Sequence, residues 1–125
     1  MYKIIETPLA PKAVGTYSQG VIHNDTYYFS GQIGLDPATM TLKEGFKGQL
    51  DQILKNIDGV LESQSLTRRN ILKTTIFMTD LNLFGEVNAA YEAYFTAPYP
   101  ARSCVQVPAL PKGALIEIEV IAVKF

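Results

Sequence analysis

The sequence predicts an α+β protein that forms a single domain over residues 1–125. β-rich runs occupy both ends of the chain, two segments of helical periodicity lie between them, and one strand separates those helices. The resulting order, β-β-β-α-β-α-β-β, is typical of two helices packed on one face of a mixed sheet. A chain of 125 residues can bury one sizeable core but not two.

The first strands come from short runs rich in β-branched and aromatic residues. These runs are Tyr2–Glu6, Tyr17–His23 and Thr26–Ile33. Asn24-Asp25 separates the last two runs and tolerates positive φ, so we expect a tight hairpin there.

The two helices differ in how clearly the sequence marks them. From about Phe46 to Ser63 one apolar stripe comprises Leu50, Ile53, Leu54, Ile57, Val60 and Leu61. Gly59 costs about 1 kcal/mol relative to alanine inside a helix, so we expect it to pack closely against the sheet. A strand at Ile71–Thr79 follows, and Asp80 or Asn82 can cap the second helix. Its buried face would comprise Phe84, Val87, Tyr91 and Tyr94 or Phe95.

The C-terminal strands raise a problem of coverage. Two helices about 10 Å wide cover about four strands spaced near 4.8 Å, and only on one face. The last strand is nevertheless apolar on both faces. One face carries Ile116, Ile118, Val120 and Ala122, and the other carries Leu115, Ile121 and Val123. An apolar face without helices needs another subunit over it, so we predict a closed homo-oligomer.

Composition argues against several classes of protein. The chain carries 11 Lys+Arg against 12 Asp+Glu, a net charge of −1 that offers no concentrated positive surface for nucleic acid. No run approaches the length of a membrane helix, and the N-terminus lacks the pattern of a secretion signal. A single cysteine suits a reducing compartment. We therefore expect a cytoplasmic protein without nucleic-acid or membrane partners.

Charged residues on the two C-terminal strands are the first candidates for chemistry. Arg102 is suited to bind a carboxylate through two hydrogen bonds, and Glu117 or Glu119 is suited to act as a general base on water. The alternative is a structural Arg–Glu pair at a subunit interface. Burial would raise the glutamate pKa and a guanidinium would lower it, so the sequence leaves the direction open. The sequence also leaves open whether a third strand separates the strand of Arg102 from the strand of Glu117.

Other reactive groups have weaker support. Cys104 as a nucleophile would need His23, the only histidine, and a buried structural role is favoured. The chain lacks a set of metal ligands and a glycine-rich phosphate loop, so we expect no metal and no nucleotide cofactor. Tyr17, Ser30 and Gly31 suit either ligand contacts or plain turns.

Taken together, these segments resemble the Rid (YjgF) family, and in particular its RidA-type imine deaminases. The matching blocks are Ala10–Gly20, Ser30–Pro37, Asp80-Leu81 with Val87–Tyr91, Pro100–Val107, Leu110–Lys112 and Ile116–Glu119. The resemblance covers essentially the whole chain in the same order. It implies a chorismate-mutase-like fold, assembled as a homotrimer with ligand clefts between subunits.

The resemblance also implies a cofactor-independent reaction. Enamines and imines such as 2-aminoacrylate and 2-iminobutanoate would be hydrolysed to 2-keto acids and ammonia. Arg102 would bind the substrate carboxylate, and Glu117 rather than Glu119 would position water. The other residues implied to contact substrate are Tyr17, Ser30, Gly31, Asn88 and Cys104, the last as a lining group.

Three features of the chain depart from the family pattern. Thr16 and Gly34 stand where proline is usual, and the connection Thr96–Tyr99 is short.

Two other functions compete with deamination. Relatives that keep the arginine suggest a regulator that binds keto acids without turnover. RNA cleavage with translational inhibition is the second alternative, against which the charge balance argues.

Overall fold

The computed structural model describes residues 1–125 and contains six strands and two helices. In chain order these are β1 (Lys3–Ile5), β2 (Gly20–His23), β3 (Thr26–Phe29), α1 (Gly45–Ser63), β4 (Ile71–Met78), α2 (Phe84–Tyr94), β5 (Ala101–Gln106) and β6 (Ile116–Val123). The predicted order of strands and helices is confirmed.

All six strands form one mixed sheet in the order β1-β2-β3-β6-β4-β5. Strands β4 and β5 are parallel and connected through α2, whereas the other neighbouring pairs are antiparallel. The last two strands of the chain therefore do not form a simple hairpin. Strand β4 lies between them, which is one of the two arrangements that the sequence left open.

Alternation along the central strands gives the sheet one fully buried face. The side chains that form it include Thr74, Ile76 and Met78 of β4 and Ile116, Ile118, Val120 and Ala122 of β6. Helix α1 packs on β6 and α2 packs on α1, and the buried side chains form a single hydrophobic cluster. Both helices thus cover this face, as predicted, and we call it the helix face.

The opposite face has no helix over it and keeps exposed apolar side chains. Ile4, Tyr28 and Val105 on this face are 61 %, 46 % and 44 % exposed. The strand register places Tyr28 beside Ile121, which is half-buried. We call this the open face, and it is the one for which the sequence predicts a covering subunit.

The apolar stripe of α1 is confirmed, but the reason for its glycine is not the predicted one. Five of the six stripe residues are buried and Leu54 is half-buried. A Cβ atom on Gly59 would collide with the carbonyl oxygen of Leu9, so this glycine packs against the N-terminal loop and not against the sheet. No helix in the structure combines the length and apolar character needed to cross a bilayer.

Helix α2 begins through a short 3-10 turn that the sequence did not predict. The Asp80 carboxylate accepts a hydrogen bond of 2.9 Å from the backbone N–H of Asn82 and caps the turn Leu81–Leu83. The helix follows from Phe84, which is half-buried, while Val87, Tyr91, Tyr94 and the following Phe95 are buried. The predicted buried face is therefore confirmed apart from partial exposure at its first residue.

Two predicted strands are shorter than expected at the ends nearest the candidate site. The run from Tyr17 pairs as β2 only from Gly20 onward. The run to Ile33 ends as β3 at Phe29, after which Gln32 alone forms a bridge with Ile118, with N–H···O distances of 2.8 and 3.0 Å. Both shortened segments are loops that line the site described next.

Candidate active site

A cavity of about 520 Å³ contains the first group of predicted site residues. Its lining includes Tyr17, Ser30, Gly31, Glu117 and Glu119, together with Lys12 and Lys112. We call it the carboxylate pocket. Four residues that the sequence placed in a cleft, Tyr17, Ser30, Gly31 and Glu117, therefore lie around one cavity.

The Glu117 carboxylate packs directly on the backbone at Gly31. A Cβ atom at position 31 would overlap the side chain of Glu117, including its carboxylate. Glycine is therefore required here by close approach, since any larger residue would force the carboxylate to move. A second close approach explains Gly34, where a Cβ atom would come within 2.6 Å of Gln49 Cα in α1.

Burial raises the pKa of Glu117, and the charge of Glu119 raises it further. Both glutamates project from β6 toward the open face, because they are two residues apart on one strand. Within this chain the pKa of Glu117 is therefore shifted upward, which answers the question that the sequence left open. A carboxyl group with a raised pKa is a stronger proton acceptor once ionised, which suits a general base.

The loop that carries Tyr17 is held by a buried residue that sequence analysis missed. The Gln19 side chain is 4 % exposed, accepts from Thr7 N at 2.6 Å and donates to Pro11 O at 2.8 Å. It thereby ties the segment before β2 to the chain that follows β1. A lone glutamine before a strand gives no sequence signal for this role, because its partners are backbone atoms.

Ser30 is oriented by the same loop. Its hydroxyl donates to the carbonyl oxygen of Ser18 at 2.6 Å, so its proton is engaged and its lone pairs stay available to a ligand. The Tyr17 hydroxyl accepts a long hydrogen bond of 3.4 Å from Val14 N, and the Tyr17 side chain is 53 % exposed. Both side chains can therefore offer polar atoms to a ligand.

A second depression, of about 460 Å³, contains the predicted arginine. Asn88, Tyr91, Glu92, Tyr99, Pro100 and Arg102 line this depression, which we call the arginine pocket. Arg102 Nη1 donates to Asn88 Oδ1 at 2.7 Å. Arg102 pairs across β4–β5 with Thr74, whose side chain is on the helix face, so Arg102 projects from that face as well.

Cys104 follows Arg102 on the same face of β5, with its Sγ atom 3.6 Å from Met78 Sδ. Burial raises the pKa of the Cys104 thiol, and the nearby Arg102 charge offsets this only in part. His23 lies on β2, which three other strands separate from β5 in the sheet. His23 is therefore not beside the thiol, and the lining role of Cys104 that the family resemblance implies stays a prediction.

The chain does not bring Arg102 and Glu117 together. Arg102 projects from the helix face and Glu117 from the open face, and β4 lies between their strands. Two strand spacings alone amount to about 10 Å, which exceeds the reach of a three-carbon acid. Arg102 and Glu117 form no ion pair within the chain, since the three salt bridges involve other residues. The structural Arg–Glu pair at a subunit interface, which the sequence left as an alternative, stays a prediction.

The fold and these two pockets define a small α+β protein whose candidate anion-binding arginine and candidate general base lie on opposite faces of one sheet. The sequence model of the endoribonuclease L-PSP family matches residues 7–124. The chain therefore belongs to this family, which is also called the Rid or YjgF family, and the predicted membership is confirmed.

Individual relatives cover nearly all of the chain. A 2-iminobutanoate/2-iminopropanoate deaminase of Salmonella typhimurium is 48% identical over 99% of both chains. The crystal structure of RidA from a Psychrobacter species matches with a TM-score of 0.95 at 46% identity, covering 98% of this chain and 99% of the other. Escherichia coli TdcF with bound serine matches with a TM-score of 0.93 at 42% identity, covering 98% and 99%.

Proposed function

We propose that this protein hydrolyses 2-imino acids and their enamine tautomers, of the 2-aminoacrylate and 2-iminobutanoate type, to 2-keto acids and ammonia. Relatives named 2-iminobutanoate/2-iminopropanoate deaminase support this, at 43% to 48% identity over 98% or more of the chain. The pockets supply the two groups that such a hydrolysis needs: a guanidinium without an acidic partner and a half-buried carboxylate with a raised pKa.

The reaction requires only positioning and proton transfer. The Arg102 guanidinium binds the substrate carboxylate and fixes the planar C=N group. The Glu117 carboxylate accepts a proton from water as the water oxygen bonds to the imine carbon. That proton passes to the nitrogen and gives a carbinolamine. The carbinolamine hydroxyl then gives its proton through Glu117 to the amino nitrogen, the C–N bond breaks, and the C=O bond forms as ammonia leaves. Tyr17, Ser30 and the backbone at Gly31 supply hydrogen bonds to the bound acid.

The position of Arg102 and Glu117 on opposite faces is the observation that supports a site shared between subunits. Since one chain cannot bring both groups to a small substrate, the site is complete only between two copies. Arg102 of one subunit and Glu117 of its neighbour would share a cleft, and the open face supplies the apolar surface for packing. We propose a homotrimer of chorismate-mutase-like subunits, as the family resemblance implies, in the reducing cytoplasm that a single cysteine suits.

Subunit complementation tests the shared cleft. Arg102→Ala and Glu117→Gln are each expected to abolish the acceleration of keto-acid release when a pyridoxal-phosphate dehydratase supplies the imine. The two inactive variants are then co-refolded in equal amounts. Each cleft draws one residue from each of two subunits, so about one quarter of wild-type activity should return.

The matched control is wild-type protein co-refolded with the Arg102→Ala/Glu117→Gln double variant. A shared cleft again predicts about one quarter of the activity, whereas a site within one chain predicts about one half. No regain of activity from the two single variants, with trimers formed as in the wild type, would exclude the shared cleft.

A regulator that binds small carboxylates without turnover is the second candidate. The TdcF structure with bound serine favours it, because serine is a small carboxylate held by a relative with 42% identity. In that case the coupled assay, in which the dehydratase supplies the imine, would show no acceleration of keto-acid release by the wild-type protein. In binding measurements, 2-keto acids would still bind to Glu117→Gln and fail to bind to Arg102→Ala. The net charge of −1 gives RNA cleavage no comparable support.

A further inference from the structure

Helix α2 presents three side chains to the Arg102 guanidinium. Phe84, Asn88 and Tyr91 are spaced by four and three residues, which places them on one side of the helix. The Phe84 ring centroid lies 4.8 Å from Arg102 Cζ and the Tyr91 centroid lies 5.5 Å away, while Asn88 Oδ1 accepts from Nη1 at 2.7 Å. We call these three residues the neutral cradle.

A second arginine in the same chain shows the contrast. Arg68 also lies over a ring, with its Cζ 3.9 Å from the Tyr94 centroid, but it donates two hydrogen bonds to Asp58 at 3.0 and 2.8 Å. Its charge is therefore neutralised within the chain, as expected of a structural contact. Arg102 has a comparable cradle but no carboxylate within 4.0 Å.

The members of the cradle stay uncharged at ordinary pH. Phe84 and Asn88 do not titrate, and burial raises the pKa of Tyr91 to about 12. Contacts of this kind restrict the guanidinium without competing for its charge. A long arginine side chain otherwise loses considerable rotamer freedom when it binds a ligand, so restricting it beforehand favours binding.

We propose that Phe84 and Asn88 are positioning residues, which hold one edge and one face of the Arg102 guanidinium so that its remaining N–H groups are aimed at a substrate carboxylate. This inference rests on the proposed role of Arg102 in carboxylate binding. It assigns Asn88 an action through Arg102, in place of the direct substrate contact that the family resemblance implies, and it adds Phe84, which the sequence placed only in the core.

Pyruvate binding, measured by calorimetry, tests the cradle without reference to turnover. Asn88→Ala should weaken pyruvate binding about tenfold, as expected for the loss of a hydrogen bond to a charged group. Phe84→Leu should weaken it roughly threefold by removing the ring, while Phe84→Tyr retains wild-type binding. Glu86→Gln is the control and should bind as the wild type, because Glu86 lies on the same helix but lines a separate depression between α1 and α2.

Asn88→Asp separates positioning from a structural role. An aspartate restores the acceptor and pairs more strongly with Arg102, so a structural role predicts recovery of both stability and pyruvate binding. The neutral cradle predicts that stability recovers while pyruvate binding is lost, because the new charge competes for the guanidinium. Recovery of pyruvate binding by Asn88→Asp would overturn the inference.

Repeating Asn88→Ala in the Arg102→Lys variant distinguishes an action of Asn88 through Arg102 from a direct contact of Asn88 with the ligand. If Asn88 acts through Arg102, Asn88→Ala causes no further loss of binding there. An undiminished tenfold loss would show that Asn88 contacts the ligand itself. That result would overturn this inference but leave the proposed role of Arg102 intact. Unchanged pyruvate binding by Arg102→Ala would instead refute the carboxylate-binding role, and the cradle with it.

Discussion

Gly31 lies so close to Glu117 that even one methyl group at position 31 would overlap the glutamate side chain. The two residues come from different parts of the chain, a loop after β3 and the strand β6. Their contact fixes the carboxylate against backbone, which is a firmer support than a mobile side chain. The first prediction concerns this contact.

Gly31→Ala should reduce kcat/KM roughly 100-fold, because a displacement of about 1 Å in a catalytic group costs that much. The fold should survive, since the atoms that must move belong to the flexible Glu117 side chain. Gly85→Ala is the matched control, because a Cβ there meets nothing within 4 Å. Equal activity of the two variants in the coupled assay would contradict this account of Glu117.

The pH dependence of the reaction should depend on Glu119. Within one chain, burial and the Glu119 charge both raise the pKa of Glu117, the proposed base whose ionisation sets the acid limb of the kcat/KM profile. Glu119→Gln removes the like charge, lowers that pKa and should move the acid limb of the profile to lower pH. The charged residues Lys12 and Lys112, which line the same pocket, remain in both proteins. An unmoved or upward-shifted limb would be inconsistent with this coupling.

The reactivity of Cys104 should report the charge of Arg102. Burial raises the thiol pKa and Arg102 lowers it, so alkylation by iodoacetamide should be slow at pH 7 and accelerate above the ordinary range of a thiol. Arg102→Ala removes the positive charge and should shift the alkylation profile to still higher pH. A shift to lower pH would show that the two side chains do not interact in this way.

Gly59→Ala should destabilise the protein by about 1–3 kcal/mol, the usual cost of overpacking. The added methyl group meets the carbonyl oxygen of Leu9, which is backbone and cannot move without displacing the N-terminal loop. Gly48→Ala in the same helix has its nearest neighbour, Lys43 Cβ, at 3.7 Å and should gain up to about 1 kcal/mol from helix propensity. Urea unfolding of both variants would measure the difference, and equal effects would exclude the contact as its cause.

The sequence was most informative where periodicity and chemistry act locally. The stripe of α1, the Asn24-Asp25 hairpin and the order of strands and helices all follow from neighbouring residues. Gly59 shows the limit of such reasoning, because its spacing indicated close packing but not that Leu9 would be the partner. Gln19 gave no signal, since its hydrogen bonds join backbone atoms brought near only by the fold.

The sequence by itself determined the α+β class, the family and the residues that carry charge into the last two strands. Only the tertiary structure decided how those residues are arranged. Strand β4 enters between β5 and β6, and the alternation of side chains then places Arg102 on one face and Glu117 on the other. The physical reason is that strand pairing depends on long-range contacts, which local sequence patterns do not specify.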